Sequence, residues 1–323
     1  MGMMDNITKA LSFKDTIFLK TGSDLQDKYD ALIKLKEEYP NNKDLLNELN
    51  IVKKGLDGEN EIAYQLKKAN IGMYVLRDVK YKYGDLTAQI DYVVITPVYI
   101  YYIECKNLIG NIMVNEKGDF IRELTINNKT ITKGMYSPLR QVEAQREVIR
   151  KIWESNANTI NKLFGSNNFN YYRRVLVVVA NQETILNTSK APNNIKDKIL
   201  RADLLVKKIE DDLEHKRDID IFESKREMEK FAKSYLDLSV VNYVDYYNYY
   251  KKLFCNNLKE RLISFRTNRS KGMNIPAYYV FTNEELNKII DLKPSNVDEL
   301  KNILPLIKVK THGKEILKEI NKI

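Results

Sequence analysis

Gln89-Ile90-Asp91-Tyr92-Val93-Val94-Ile95 and Tyr99-Ile100-Tyr101-Tyr102-Ile103-Glu104-Cys105-Lys106 are two runs rich in β-branched and aromatic residues, separated by a short link containing Thr96-Pro97. Such runs read as strands, and the short link makes an antiparallel hairpin the default. A loop at Thr96–Tyr99, or a two-residue turn at Pro97-Val98, pairs Ile95 with Ile100 and sets Asp91 directly across from Glu104. A turn at Thr96-Pro97 makes the two acids diagonal. In all three cases they share a face, because side chains alternate with period two. A loop of odd length would separate them. Lys106 lies two positions beyond Glu104 and shares its face whatever the turn.

Like charges facing each other on a sheet are destabilising, and more so in strands this apolar. Lys106 supplies one compensating charge; a divalent cation would supply the rest. Carboxylate oxygens suit Mg²⁺, which takes one or two carboxylates and keeps several waters. Such an ion acidifies water and steadies developing negative charge. The plainer alternative is a solvated face on which the acids pair with lysines. The apolar setting of both acids, and the period that keeps Lys106 with Glu104, weigh against it.

Working outward, residues 74–135 carry further strand signals at Val75–Val79 and Phe120–Thr125. Ser137-Pro138 opens a helix to about Trp153, with Ser as cap and Pro at the first helical position. Asn-rich residues 166–170 read as a loop. Arg174–Ala180 reads as a buried central strand, and helices are expected to dominate after it. Upstream, residues 1–52 read as a helical extension packed on the core: one helix capped by Ser23 runs to Tyr39, and a second runs from Asn42 to about Gly55. A third then follows Gly55-Leu56-Asp57-Gly58-Glu59. Residues 241–256 carry Tyr243, Tyr246, Tyr247, Tyr249 and Tyr250; a linker helix with tyrosines packed between two domains is preferred to a base-stacking platform. Residues 257–323 form a small helical unit, with helix starts at Thr282-x-x-Glu285 and Ser295-x-x-Asp298. The expected divisions are therefore 1–52, 53–240, 241–256 and 257–323.

The chain has 323 residues, 43% hydrophobic and 30% charged, which suits a globular protein. Its net charge of +9 fits a polyanionic partner, although lysine-rich composition alone can produce it. Residues 257–323 hold 13 Lys and Arg against 8 Asp and Glu, more than their share. Two cysteines, Cys105 and Cys255, and two histidines, His215 and His312, are too few for a disulfide framework, a zinc cluster or a histidine-based site. The first residues lack a signal-peptide pattern, and no apolar run approaches the ~18 residues that span a bilayer. A cytoplasmic protein with no membrane partner is expected.

At this point a resemblance enters. Asp91 and Glu104-x-Lys106 on a hairpin, preceded by a helix carrying an acid, resemble the PD-(D/E)XK nuclease core. Gly55-x-x-Gly58-Glu59, Ala88-Gln89-Ile90-Asp91, Ile103-Glu104-Cys105-Lys106-Asn107 and Ser137-Pro138-Leu139-x-Gln141 follow in the order of the NERD (nuclease-related) domain, over about residues 53–155. The resemblance implies an α/β fold: a restriction-endonuclease-like mixed sheet flanked by helices, with the strand at 174–180 completing it. It implies catalytic roles for Glu59, Asp91, Glu104, Lys106 and Gln141. Asp91, Glu104, the Cys105 backbone carbonyl and Glu59 would hold the metal, Mg²⁺ with Mn²⁺ as a substitute. Glu61 is a nearby competitor for the role of Glu59, and acids favour a helix N-terminus in any case. Gln89 has a structural reading. Ser137 stands where the family often has Asn, and Cys105 where an aliphatic residue is common; Cys105 is expected to point into the core.

Residues 257–323 resemble an HRDC domain, the helical module at the end of RecQ-type helicases. The family's glycine turn is replaced by Ile303-Leu304-Pro305-Leu306-Ile307, and His312 replaces a frequent Tyr. Lys308 and Lys310 are the candidate nucleic-acid contacts. The functional expectation is a Mg²⁺-dependent deoxyribonuclease with an accessory helical DNA-binding domain, suited to bacterial defence, including phage defence, or to DNA repair. DNA is the expected partner, RNA the lesser one, with a helicase or a second copy as further partners. The competing reading is a non-cleaving adaptor that keeps the nuclease fold; the intact Asp91, Glu104 and Lys106 set argues against it.

Overall fold

The computed structural model describes residues 13–40, 42–127, 129–155, 169–215, 222, 224–255 and 258–321. In chain order the first elements are β1 (Thr16–Lys20), α1 (Asp24–Glu38), α2 (Lys43–Lys68), β2 (Met73–Tyr83), β3 (Leu86–Ile95) and β4 (Ile100–Lys106). Then come β5 (Asn111–Val114), β6 (Phe120–Ile126), β7 (Lys129–Met135), α3 (Pro138–Ser155), α4 (Phe169–Tyr172) and β8 (Arg173–Val179). They are followed by β9 (Leu186–Asn187), α5 (Asn193–Lys196), β10 (Ile199–Arg201), α6 (Leu205–Glu214) and α7 (Lys225–Asp237). The order across the main sheet is β1-β2-β3-β4-β8-β10, and a second sheet runs β7-β6-β5-β9.

The main sheet is mixed. β1 runs parallel to β2, the β2-β3-β4 meander is antiparallel, and β8 and β10 add in parallel. Both faces are covered, as an α/β fold requires. On one face, Val142, Ile149 and Trp153 of α3 and Phe231 and Tyr235 of α7 pack on Leu76, Val93, Ile95, Tyr102 and Val177. On the other, Ile62 and Leu66 of α2 and Leu205 and Ile209 of α6 pack on Val75, Val94, Tyr101, Ile103 and Val178.

Three expectations from the sequence are corrected. Residues 16–20, expected within a helical extension, form strand β1: Thr16-Ile17-Phe18 has strand propensity, and β2 offers a free edge to pair with. The break expected at Gly55 is absent, since α2 is one helix through Gly55 and Gly58. A Cβ at Gly58 would stand 2.5 Å from Asn107 Cβ and 3.2 Å from Cys105 Sγ. The glycine marks the close approach of helix to strand, not a helix end. Short strands β5, β7, β9 and β10 lie where no strand was expected. The loop expected over 166–170 lies outside the described residues except for Phe169 and Asn170, which open α4.

Contacts divide the chain into two units, one formed by the chain up to Leu25 with Lys54–Tyr243, the other by Gln26–Lys53 with Val244 onward. The expected 1–52 extension is thus shared between them. In the second unit, α8 (Tyr246–Tyr250) continues as a π-helix (Lys251–Cys255), followed by α9 (Leu258–Met273), α10 (Ala277–Val280), α11 (Asn283–Leu292), α12 (Val297–Lys301) and α13 (Leu306–Ile320). The tyrosine segment belongs to this unit from Val244 on, Tyr243 closing the first: Tyr247 donates to Glu38, Tyr250 to Glu48 at 3.2 Å, and Asn42 Nδ2 to the Phe254 carbonyl at 2.9 Å. Leu262, Val280, Phe281, Leu286, Leu300, Val309 and Ile316 form its core. Thr282 and Glu285 make the expected capping box. The next helix is capped by Asn296, one residue after the expected Ser295, because Asn296 reaches the Glu299 amide while Ser295 bonds the Glu299 carboxylate.

Gly58→Ala is expected to destabilise the fold by about 1–3 kcal/mol through overpacking, although Ala is the better helix former. Gly55→Ala meets only the Leu25 methyl at 3.0 Å and is expected to be near neutral or stabilising. Urea midpoints of the two variants check this: equal midpoints would remove the packing role of Gly58.

Candidate active site

The hairpin closes as Ile95↔Ile100, with the Thr96 amide donating to the Tyr99 carbonyl at 2.9 Å. That is one of the registers that set Asp91 opposite Glu104. The paired ladder, however, ends at Tyr92↔Ile103. One residue further on, the Cys105 amide donates to Asp91 Oδ2 at 2.7 Å. The strands part at this point, and a carboxylate fills the hydrogen-bonding place of a neighbouring backbone.

The pleat is also broken here. Ile90 and Val93 enter the same core layer, as do Leu76 and Val79 on β2. The position opposite Asp91 on β2 is Asp78, a non-glycine residue in the left-handed region, φ +49°. Its buried carboxylate justifies that conformation: Oδ1 accepts from Gln89 Nε2 at 2.7 Å and Oδ2 from the Asp24 amide at 2.6 Å. Lys20 donates to the Asp78 carbonyl at 2.6 Å. Gln89 therefore holds the break next to Asp91, in keeping with its structural reading.

Glu104 is 3% exposed. Its Oε1 accepts from Lys106 Nζ at 2.5 Å; its Oε2 is buried and makes no hydrogen bond of good geometry, with the Gln141 and Gln145 amides as its neighbours. Ser137 Oγ accepts from the Arg140 amide at 3.2 Å, so α3 begins as expected. That helix brings Gln141 Oε1 to 3.4 Å from Lys106 Nζ. Gln145, one turn later, stands beside Glu104 with Gln141, and its Oε1 is buried and unpartnered. The sequence reading missed Gln145; its i, i+4 spacing from Gln141 is the signal that could have found it.

Glu59 is buried on α2 and turned to Arg77, whose Nε donates to Oε2 at 2.9 Å, while Arg77 Nη1 donates to Asn60 Oδ1 at 2.9 Å. Tyr92 hydroxyl donates to the Glu59 carbonyl at 2.7 Å, which fixes the helix over the sheet. Glu61 instead accepts from Gln65 Nε2 along its own helix. Arg77 was not singled out by the sequence reading, since a lone Arg in a strand carries no signal.

Burial pushes the Asp91 carboxyl well above the usual carboxylate range; neighbouring Glu104 and Glu59 push it further, and only the Cys105 amide and Lys106 oppose. Burial also raises Glu104, against the pull of Lys106, Gln141 and Gln145. It raises Glu59 too, opposed by Arg77. Burial followed by Asp91 holds the Cys105 thiol neutral; it packs with the apolar layer on the α2 side, as expected. Among the described residues no group of three or more His, Cys, Asp or Glu side chains is placed to hold a metal ion.

In the second unit Lys308 is committed. It donates to Glu285 Oε2 at 2.7 Å and to the Tyr278 carbonyl at 2.9 Å. Lys310 is exposed. In place of the glycine turn, Ile303 and Leu304 are buried while Leu306 and Ile307 are exposed.

Residues 54–179 match the nuclease-related domain family (NERD), and residues 256–320 match the HRDC domain family. The chain therefore carries a nuclease-related domain followed by an HRDC domain. No curated protein and no solved structure matches it. No helix among the described residues is long and apolar enough to cross a membrane.

Carboxyls with raised folded-state values make the metal-free fold bind more protons than the unfolded chain. Its stability is then greatest below the ordinary carboxylate range and is lost as pH rises through the raised values. Asp91→Asn keeps an acceptor for the Cys105 amide but removes the charge. In EDTA the wild type is expected to lose Tm from pH 5 to 8, and Asp91→Asn to lose less and to melt a few degrees higher at pH 8. Mg²⁺ should restore the wild type and not the variant. Identical melting of both proteins across this range, with and without Mg²⁺, would contradict the reading.

Proposed function

We propose that this chain is a metal-dependent nuclease that hydrolyses DNA phosphodiester bonds, with its HRDC domain as an accessory DNA-binding unit. The observation that carries the reading is Glu104: buried, one oxygen on Lys106, the other beside the Gln141 and Gln145 amides, and next to a second buried acid on a strand that has just left the ladder. Two buried carboxylates with one nearby ammonium are costly unless something positive completes them. Mg²⁺, with Mn²⁺ as a substitute, would be held by the side chains of Asp91 and Glu104, by the Cys105 carbonyl, and by Glu59, which Arg77 and Ser23 also engage. When bound, the ion would acidify water and neutralise charge on the scissile phosphate.

The chain's own residues divide the remaining work. Lys106, held by Glu104, presents its ammonium to the attacking water and to the phosphate as negative charge builds up. Gln141, in reach of Lys106, and Gln145 behind it supply amide groups to the same water or to a phosphate oxygen. Arg77 holds Glu59 in place. The Cys105 amide fixes one oxygen of Asp91 and leaves the other available. In the HRDC domain, Lys310 is an exposed cation available to phosphate, while Lys308 serves the fold through Glu285. Defence against phage or repair of DNA would suit these parts.

Purified wild type should cut supercoiled, linear or single-stranded DNA with Mg²⁺ and not with EDTA. Asp91→Asn and Lys106→Ala should each lose about 10²–10³-fold or more in rate, the scale of removing a group that stabilises transition-state charge. Glu59→Gln and Gln141→Ala should lose less. Cutting of closed circles would mark an endonuclease; loss of linear DNA alone, an exonuclease. A wild type that binds every DNA and cuts none would favour the adaptor reading, and cleavage confined to RNA would remove the DNA assignment.

A further inference from the structure

We propose that the β6–β7 hairpin is a DNA-gripping wing that lays one basic face against the phosphates of a duplex bound at the active site. The inference rests on the nuclease reading of that site and names a contact surface for its substrate.

The hairpin pairs Phe120↔Met135, Arg122↔Lys133 and Leu124↔Ile131, with Lys129 next along β7 on the same face. Side chains alternate, so this face carries Arg122, Lys129 and Lys133 and no acid. The opposite face carries Glu123, Thr125, Thr130 and Thr132. Phe120 is buried and Met135 packs against the main core, which roots the hairpin at its base. From Lys129 to Gly134 every residue of β7 is exposed, Ile131 to 40%. β7 is the outer strand of its sheet. Neither lysine has a hydrogen bond or ion pair among the described residues.

The root of the wing is the site itself. Arg122 Nε donates to the Ile109 carbonyl at 2.7 Å, in the loop that leaves β4 after Lys106. A Cβ at Gly110 would stand 2.8 Å from Leu124 Cδ2, so the same face of β6 leans on that loop. At its other end β7 runs through Tyr136, 74% exposed, into the cap of α3, which carries Gln141 and Gln145. The hairpin thus springs from the two elements that hold the site.

Duplex DNA fits this surface in size as well as charge. Lys129 and Lys133 lie four residues apart on one strand, about 14 Å, close to the ~12 Å width of the major groove. A two-stranded ribbon enters that groove, whereas the deep, narrow major groove of duplex RNA excludes it. Lysines also protect exposed edge strands against pairing with other chains. That role needs charge of either sign, and this difference separates the two explanations.

The test is equilibrium binding of the full chain to a short labelled DNA duplex in EDTA, over a range of salt, with single-stranded DNA and duplex RNA as parallel arms. Lys129→Glu with Lys133→Glu keeps a charged edge and is expected to remain folded by circular dichroism. It should weaken duplex binding and lower the slope of log affinity against log salt by roughly 1.8, the loss of two phosphate contacts. Thr132→Glu, on the opposite face of the same strand, should leave the slope in place. An unchanged slope in the double variant, equal loss with Thr132→Glu, no duplex binding by the wild type, or lysine-dependent binding only to single strands or RNA would each overturn the wing. Cleavage with Mg²⁺ is scored separately. A chain that shows the lysine-dependent slope but never cuts keeps the wing and loses the nuclease reading; one that cuts with an unchanged slope does the reverse.

Discussion

The parting of β3 and β4 after Tyr92↔Ile103 is the constraint on which the site depends. Were the ladder to continue, the Cys105 amide would face backbone. Instead it donates to Asp91 Oδ2, and the acid is drawn in between two strands that are apolar on both sides. Everything near it serves that opening. Asp78, in a left-handed conformation anchored by Gln89 and the Asp24 amide, breaks the pleat of β2 at the facing position. Gly58 lets α2 lie against Cys105 and Asn107. Ser137 starts α3 where its glutamines meet Lys106 and Glu104.

The charges are arranged unevenly. Glu59 has Arg77, Glu104 has Lys106, and Asp91 has only a backbone amide of its own. Taking ions out of water costs several kcal/mol each even after relaxation, so the two compensated acids are tolerable and the third is poised. Two buried carboxylates that share one nearby ammonium make a poor structural ion-pair network. The stability given up here is recovered in the two apolar layers, where α3 with α7 and α2 with α6 cover both faces of the sheet.

The second unit shows the opposite economy. Its lysine that most resembles a nucleic-acid contact, Lys308, is tied to Glu285 and to the Tyr278 carbonyl, and His312 is buried beside Arg269. In place of a glycine turn, Ile303 and Leu304 are buried in the core of this unit. Lys129 and Lys133 on β7, exposed and without an ion pair among the described residues, lie nearer Lys106 and Gln141 in sequence than Lys310 does.

Much of this was legible in the chain itself. Two apolar runs with one short link specified the hairpin and left its turn open, with Ile95↔Ile100 among the registers expected. Parity kept Lys106 with Glu104 but not Asp91, which sits where the pleat breaks; the Ser-Pro start of α3 and the Thr282 capping box followed from local hydrogen-bonding rules. Tertiary structure alone decided where the ladder stops, that Gly55 and Gly58 lie within one helix, and that Thr16–Lys20 joins the sheet. It also decided that Glu59 answers to Arg77, that Lys308 answers to Glu285, and that Gln145 meets Glu104. Each of these depends on a partner 15 or more residues away, or on a neighbouring element, and residue spacing along a chain carries no record of which distant group fills a buried hydrogen bond.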